Sequence, residues 1–220
     1  MTTGRTARGD GHRRGWQRRG ATASPGEVWD QRYAEVDWPS EPDATLVELA
    51  GGLAPGRAVD LGCGPGRNAI WLARHGWRVT GVDASAVGLA KAGERARDAG
   101  VSLELVKADV LAYEPAAGVD LVVVANLHFA PGEREGFFAR AVACLAPGGH
   151  LFVSGHHRDS LGRAGPAAPE RLYTEELLAS LLAPLDTEVR RRERPAGPGE
   201  PPLVGVVAWA TAPPSREGAP

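Results

Sequence analysis

The sequence predicts an α/β fold: a seven-stranded, mostly parallel sheet with helices on both faces and a C-terminal antiparallel hairpin. Three observations lead there. From Arg57 to Leu182, apolar runs of strand length alternate with segments of helical period. Val119–Ala125 is a nearly continuous apolar run, as a central parallel strand covered on both faces requires. Residues 185–194 and 202–212 then read as consecutive strands with only a Pro/Gly-rich connection, 195–201, between them.

Taken in order, residues 27–36 carry Val28, Trp29, Arg32 and Tyr33 at helical spacing, and 44–53 repeat the pattern with Leu46, Val47, Leu49 and Ala50. These predict two N-terminal helices that cover the ligand side before the sheet begins. Pro55-Gly56 ends the second, and Arg57–Leu61 is the first strand. A helix over 67–75 and a strand over 77–82 follow, the strand reaching Asp83. Ser85 caps a helix over 85–99 that Gly100 stops. Residues 102–107 alternate as a third strand, ending at Ala108-Asp109. After the central strand, 131–145 make a helix closed by Pro147-Gly148-Gly149, 150–155 form the fifth strand, and Thr174 caps a helix over 174–182.

A chain of 220 residues suits one domain with a full core. With 43% hydrophobic residues and a formal charge of −2, nothing global marks a nucleic-acid or membrane binder. No apolar run is long enough to cross a bilayer. Two cysteines build no disulfide framework, and Cys63 lies inside a glycine-rich turn, so a reducing cytoplasm is the expected location. Residues 1–25 are of different composition: Arg5, Arg8, Arg13, Arg14, Arg18 and Arg19 stand against a single acid, Asp10, with almost nothing apolar except Trp16. The expectation is a disordered basic arm over 1–25, a folded domain over 26–212 and a frayed tail over 213–220. The arm lacks the apolar stretch of a secretory signal, and RNA contact is its other reading.

The chemistry lies in residues 59–85, VDLGCGPGRNAIWLARHGWRVTGVDAS. Asp60 closes a strand, and Gly62, Gly64 and Gly66 let the backbone turn tightly and approach a ligand. A helix and a second strand follow, ending in Asp83. That layout binds a nucleoside at the carboxyl ends of parallel strands. A dinucleotide fingerprint would place its third glycine where Arg67 stands. Asp60, two residues ahead of Gly62, would repel a pyrophosphate but welcome an ammonium. A ligand with a cationic end and no phosphate fits better, and S-adenosylmethionine is one.

The run D-L-G-C-G-P-G-R-N with the later V-D-A-S resembles motif I and the acidic loop of class I S-adenosylmethionine-dependent methyltransferases. The resemblance extends over roughly 29–212 and implies a Rossmann-like sheet whose late hairpin separates it from the dinucleotide fold. It also implies S-adenosylmethionine as cofactor. Within the class, the W-D-x-R-Y start and G-R-N-A-I-W-L-A-R-H-G-W-R-V-T are similar to small bacterial tellurite-resistance and thiopurine methyltransferase-like proteins. The Arg/Gly/Pro-rich segment 155–169 departs from that branch and matches no acceptor motif.

Asp83 is placed to accept hydrogen bonds from both ribose hydroxyls, a bidentate task that needs an acid; Ala84 and Ser85 continue its loop. Asp109 follows the third strand, where an acid of this family faces the adenine amino group, and Val110 flanks the ring. Asp60 binds the methionyl ammonium or fixes the glycine turn, whose Gly62, Cys63, Gly64 and Gly66 border the ligand. Arg67 and Asn68, at a helix start, hold the methionine carboxylate or brace the N-terminal helices. Tyr33, with Trp29, forms a lid or a staple for its own helix.

Asn126 follows the central strand, where DNA-amino methyltransferases carry a proline-rich tetrapeptide. No prolines follow it here, so it is assigned to the cofactor. His128 is a candidate general base or a packed loop histidine. His156 and His157 contact substrate or lie in a solvated loop; only Asp159 stands near them, and no metal is expected.

Methyl transfer from a sulfonium asks mainly for alignment and exclusion of water, so the lack of a catalytic dyad does not count against activity. The expectation is a methyltransferase acting on a small-molecule acceptor, as a monomer or weak dimer without membrane or nucleic-acid partners. The alternatives are a macromolecular methyltransferase using the basic arm on RNA or protein, and a cofactor-binding protein without catalysis.

Overall fold

The computed structural model describes residues 24–215 of the chain. The basic arm, apart from Ser24 and Pro25, and residues 216–220 of the tail lie outside the described residues. Seven strands form one sheet in the order β3-β2-β1-β4-β5-β7-β6. They are β1 (Arg57–Leu61), β2 (Arg78–Asp83), β3 (Glu104–Lys107), β4 (Val119–Ala125), β5 (Leu145–His156), β6 (Asp186–Arg194) and β7 (Leu203–Thr211). The first five run parallel. The strand β7 pairs antiparallel with both β5 and β6, so the C-terminal hairpin forms one edge as expected.

Helices cover both faces: α1 (Pro25–Glu35), α2 (Ala44–Ala50), α3 (Arg67–Arg74), α4 (Ala86–Asp98), α5 (Glu133–Ala143) and α6 (Glu175–Leu181). The unbroken apolar run of β4 explains itself by period: Val122 and Val124 face the core that contains Phe137, Phe138 and Leu178, while Leu121 and Val123 face the one that contains Leu46, Leu72 and Trp77.

Most boundaries shift by one to three residues, and three differences from expectation have a specific cause. The first helix begins earlier, because Ser24 caps it and exchanges hydrogen bonds with Glu27, and Pro25 takes the first helical position, where its missing N–H costs nothing. Next, Pro147-Gly148-Gly149 does not close α5 but lies within β5. The pairing with β4 jumps from Val119↔Leu145 to Leu121↔His150, a bulge that absorbs the extra residues. Finally, the connection after β5 folds into two short 3-10 turns, Arg158–Ser160 and Pro169–Arg171. Among the described residues, no helix is long and apolar enough to cross a membrane.

The pair order β1-β4 beside β1-β2 puts the reversal of strand order at the carboxyl end of β1, where such sheets bind ligands. The helix α1 lies across that end. It is held on α4, where Asp30 Oδ1 accepts from Ser85 Oγ at 2.5 Å and from the Val87 N–H at 3.0 Å. Lys91 Nζ donates to the Tyr33 carbonyl, and Arg95 donates to that of Trp38 at 2.9 Å.

Candidate functional site

A cavity of about 650 Å³ opens at the carboxyl ends of β1, β2, β4 and β5. Its floor is the turn after β1. The Gly62 and Cys63 N–H groups both donate to the Val82 carbonyl, at 2.8 and 3.0 Å, which locks the turn to β2. Gly62, Gly64 and Gly66 all have positive φ, as the spacing required. Close approach is a second reason for two of them: a Cβ on Gly62 would come within 2.6 Å of Leu127, and one on Gly64 within 2.5 Å of the Tyr33 hydroxyl.

Asp83 is 6% exposed and joins the two halves of this floor. Its Oδ2 accepts from the Gly64 N–H and its Oδ1 from the Ser85 N–H, each at 2.8 Å. Burial raises its pKa, and these two hydrogen bonds oppose the rise. One lone pair on each oxygen stays directed elsewhere.

Asp60 is 2% exposed, and its Oδ2 has no hydrogen-bond partner. Burial pushes its pKa up to about 7, against the pull of Arg67 and a backbone hydrogen bond from Ala69. A buried, unpartnered carboxylate oxygen beside a glycine cradle is a costly arrangement for a protein alone and a suitable one for a cation. The residues therefore fit a ligand with an ammonium end. Arg67, whose charge reaches Asp60, lines the same cavity and suits an adjoining carboxylate.

Of the residues singled out in the sequence, Tyr33, Asp60, Gly62, Cys63, Gly64, Arg67, Asn68, Asp83, Ala84, Asp109, Val110, Asn126 and His128 all line this cavity. Gly66 and Ser85 do not. Gly66 sits where a Cβ would meet Ala92 of α4 at 3.0 Å, so it serves helix packing. Ser85 is fully buried behind the wall, where it caps α4 through the Gly88 N–H. Cys63 contributes main chain, since its thiol packs over Gly81 and burial raises its pKa. Asn68 braces the N-terminal region, its Oδ1 accepting from the Asp43 N–H at 2.9 Å. Asn126 has φ 60, the left-handed region that asparagine tolerates, and its N–H donates to the Ser154 carbonyl.

Of the two readings of His128, the contacts favour the packed loop histidine over the base. It is 7% exposed, with Nδ1 3.0 Å from the Arg171 carbonyl and Nε2 accepting from the His156 N–H at 3.2 Å. One tautomer satisfies both contacts, a proton on Nδ1, and it leaves no lone pair for a substrate. Burial, helped by His156 and Arg171, lowers its pKa to about 3. It ties three loops together, stacked between His156 and Tyr173.

The two adjacent histidines part company. His156 lines the cavity, whereas His157 is buried outside it with Nε2 2.8 Å from Glu175 and Nδ1 accepting from the Asp159 N–H. Among the described residues, no group of three or more His, Cys, Asp or Glu side chains is arranged to hold a metal ion.

Sequence reasoning missed several lining residues. Asp43 caps α2 at the Thr45 N–H and accepts from Ser154 Oγ at 3.1 Å, which joins the N-terminal region to β5. Trp38 and Arg32 stand beside Trp29, the Arg32 guanidinium 4.4 Å from the Trp29 ring centre. Arg171, Arg192 and Arg194 form the far wall. Apart from Arg32, which stands in the W-D-x-R-Y start, none belongs to a local motif, and only the fold brings them to the cavity.

Comparison with known proteins agrees with this geometry. Residues 58–149 match the methyltransferase domain family. Over 105 residues the chain is 43% identical to trans-aconitate 2-methyltransferase of Paracidovorax citrulli, covering 46% of this chain and 38% of that protein. It is 34% identical over 105 residues to ribosomal RNA small subunit methyltransferase C of Alcanivorax borkumensis, covering 45% and 32%. The chain thus spans less than half the length of these curated relatives.

Among solved structures, one from a study of disulfide-to-thioacetal conversion in echinomycin biosynthesis superposes with a TM-score of 0.70 at 20% identity, covering 87% of this chain and 93% of that one. TehB of Haemophilus influenzae gives 0.65 at 16%, covering 85% and 66%. The 1,6-didemethyltoxoflavin-N1-methyltransferase of Burkholderia thailandensis, solved with S-adenosylhomocysteine, gives 0.59 at 25%, covering 77% and 76%.

Proposed function

We propose that the chain is a class I S-adenosylmethionine-dependent methyltransferase that methylates a small-molecule acceptor by direct displacement, a reading supported by the match of residues 58–149 to the methyltransferase domain family and by the similarity to the trans-aconitate and toxoflavin enzymes. The observation that supports this reading most is the unpartnered Asp60 Oδ2, buried at the cavity floor beside the turn of Gly62 and Gly64.

When bound, the cofactor supplies a methyl group on a sulfonium, a leaving group already activated by its charge. Asp60 takes the ammonium and Arg67 the carboxylate of its methionyl end. Asp83 uses its remaining lone pairs for the ribose hydroxyls, and Asp109 and Val110 border the adenine. The main chain of Cys63, Ala84 and Asn126 lines the cofactor on either side. Tyr33, whose hydroxyl lies over Gly64, and Leu127 over Gly62 exclude water from the transfer zone. His128 holds the loops that frame it.

The cavity is of the size that takes small ligands, and residues of α1 and of the β6-β7 hairpin line it. A small acceptor fits that size, as the similarity to the trans-aconitate enzyme suggests; a cytoplasmic, monomeric or weakly dimeric enzyme is part of this reading. A macromolecular acceptor is the second reading, favoured by the ribosomal RNA methyltransferase relative. Incubation with methyl-labelled cofactor and a small-molecule extract, followed by filtration, separates them. Label in the low-mass fraction supports the proposal, and label confined to RNA or protein overturns it.

A further inference from the structure

Two groups of ionisable side chains stand apart in the cavity lining. Asp60, Asp83 and Asp109 stand at the carboxyl ends of the first strands. Arg171, Arg192 and Arg194 stand on the opposite wall, from the second 3-10 turn and the edge strand β6. Among the described residues, the side chains of these three arginines make no hydrogen bond and no ion pair. Other arginines nearby are engaged: Arg191 with Asp159, Arg190 with Glu188 at 2.8 Å, Arg163 with the Pro201 and Pro202 carbonyls.

The acids on that wall are spoken for as well. Glu133 accepts from the Ala130 N–H at 3.0 Å, and Glu193 lies 3.9 Å from Arg191. Arg192 and Arg194 are two residues apart on a strand and so share a face with Arg190, which reaches Glu48 of α2 at 3.6 Å. That is the face turned to the N-terminal helices and the cavity. The Arg171 charge is close enough to His128 to contribute to its lowered pKa.

Resting on the proposed cofactor site, we infer that the acceptor is a small carboxylic acid, held by the arginine wall, and that the methyl group goes to a carboxylate oxygen to give a methyl ester. A planar carboxylate matches the guanidinium fork in charge and geometry. The acceptor oxygen forms its bond to the methyl carbon as the carbon–sulfur bond breaks, and that electron pair goes to sulfur. The negative charge of the acceptor and the positive charge of the sulfonium cancel, and no proton changes hands. The reaction therefore needs no base, which suits a cavity where His128 has both ring nitrogens committed.

The test supplies the full chain with tritium-methyl-labelled cofactor and three probes: propane-1,2,3-tricarboxylate, glutarate and benzoate, each beside its amide. A methyl ester releases its label as volatile methanol in alkali, whereas N-, S- and ether-linked methyl groups stay. The expected result is alkali-labile label on at least one acid and none on the amides. Arg171→Gln and Arg192→Gln should raise the KM for that acid several-fold to about tenfold, with kcat and S-adenosylhomocysteine affinity little changed. Alkali-stable label, equal use of amides, or no labelling of any acid by protein that binds S-adenosylhomocysteine overturns the inference. Failure to bind S-adenosylhomocysteine strikes instead at the proposed cofactor site.

Discussion

The Asp83 carboxylate fastens the acidic loop to the glycine turn, its Oδ2 accepting the Gly64 N–H at 2.8 Å while Oδ1 holds the Ser85 N–H. One side chain thus sets the distance between the two loops that border the cavity. Its removal acts twice: the proposed ribose partner goes, and two buried N–H groups lose their acceptor. Asp83→Ala should lower unfolding free energy by about 1–3 kcal/mol per orphaned group and abolish S-adenosylhomocysteine binding. Urea unfolding and calorimetry measure the two effects. An unchanged midpoint would show that the two hydrogen bonds carry no such weight.

Asp60 makes stability depend on pH. Its pKa of about 7 lies above the unfolded value near 3.8, so the folded state binds its proton more tightly. The benefit is complete below pH 4 and disappears as pH rises through 7. The arithmetic is about three pK units, or roughly 4 kcal/mol. Asp60→Asn should flatten this slope between pH 4 and 8 and leave the variant more stable than wild type at pH 8. Unfolding curves at several pH values check it, and parallel slopes for the two proteins contradict it.

Gly64→Ala should be poorly tolerated for two separable reasons. Its φ of +51 costs a side chain on the order of 1 kcal/mol, and the new Cβ would meet the Tyr33 hydroxyl at 2.5 Å. Tyr33→Phe relieves only the second. The double variant should therefore recover part of the lost thermal stability, and equal melting temperatures for single and double variants would rule out the contact.

His128 should behave as a strut. His128→Ala leaves the Arg171 carbonyl and the His156 N–H without their ring partner. The melting temperature should fall while the shape of the pH–rate profile stays as in wild type. Because burial lowers the His128 pKa, wild type loses this group's contribution as pH falls below the ordinary histidine range toward 3. A vanished acid limb in the variant's rate profile would restore His128 as a base.

The fold was legible because period and punctuation agree along the chain. The β4 run, the Ser85 and Thr174 caps and the positive-φ glycines are local signals, and each stands where the sequence placed it. Pro147-Gly148-Gly149 misled because a bulge in a strand and a helix stop use the same residues. The convergence of Asp60, Gly62, Gly64 and Asp83 on one cavity was legible for the same local reason, since all four lie within one βαβ unit. Gly66 and Ser85 share that motif but face packing, which spacing alone does not reveal. Asp43, Arg171 and Arg192 come from a cap, a 3-10 turn and an edge strand, and only the tertiary fold makes them neighbours.

The most direct test of the central claim, that one carboxylate at the end of β1 and another at the end of β2 grip opposite ends of an adenosyl sulfonium, is titration calorimetry with S-adenosylhomocysteine. Wild type, Asp60→Asn and Asp83→Asn are compared at pH 7.5, with NADH as a competitor. The account predicts one site per chain in wild type, at least tenfold weaker binding in each variant, and no competition by NADH. Equal affinity in all three proteins, or displacement by NADH, would contradict it.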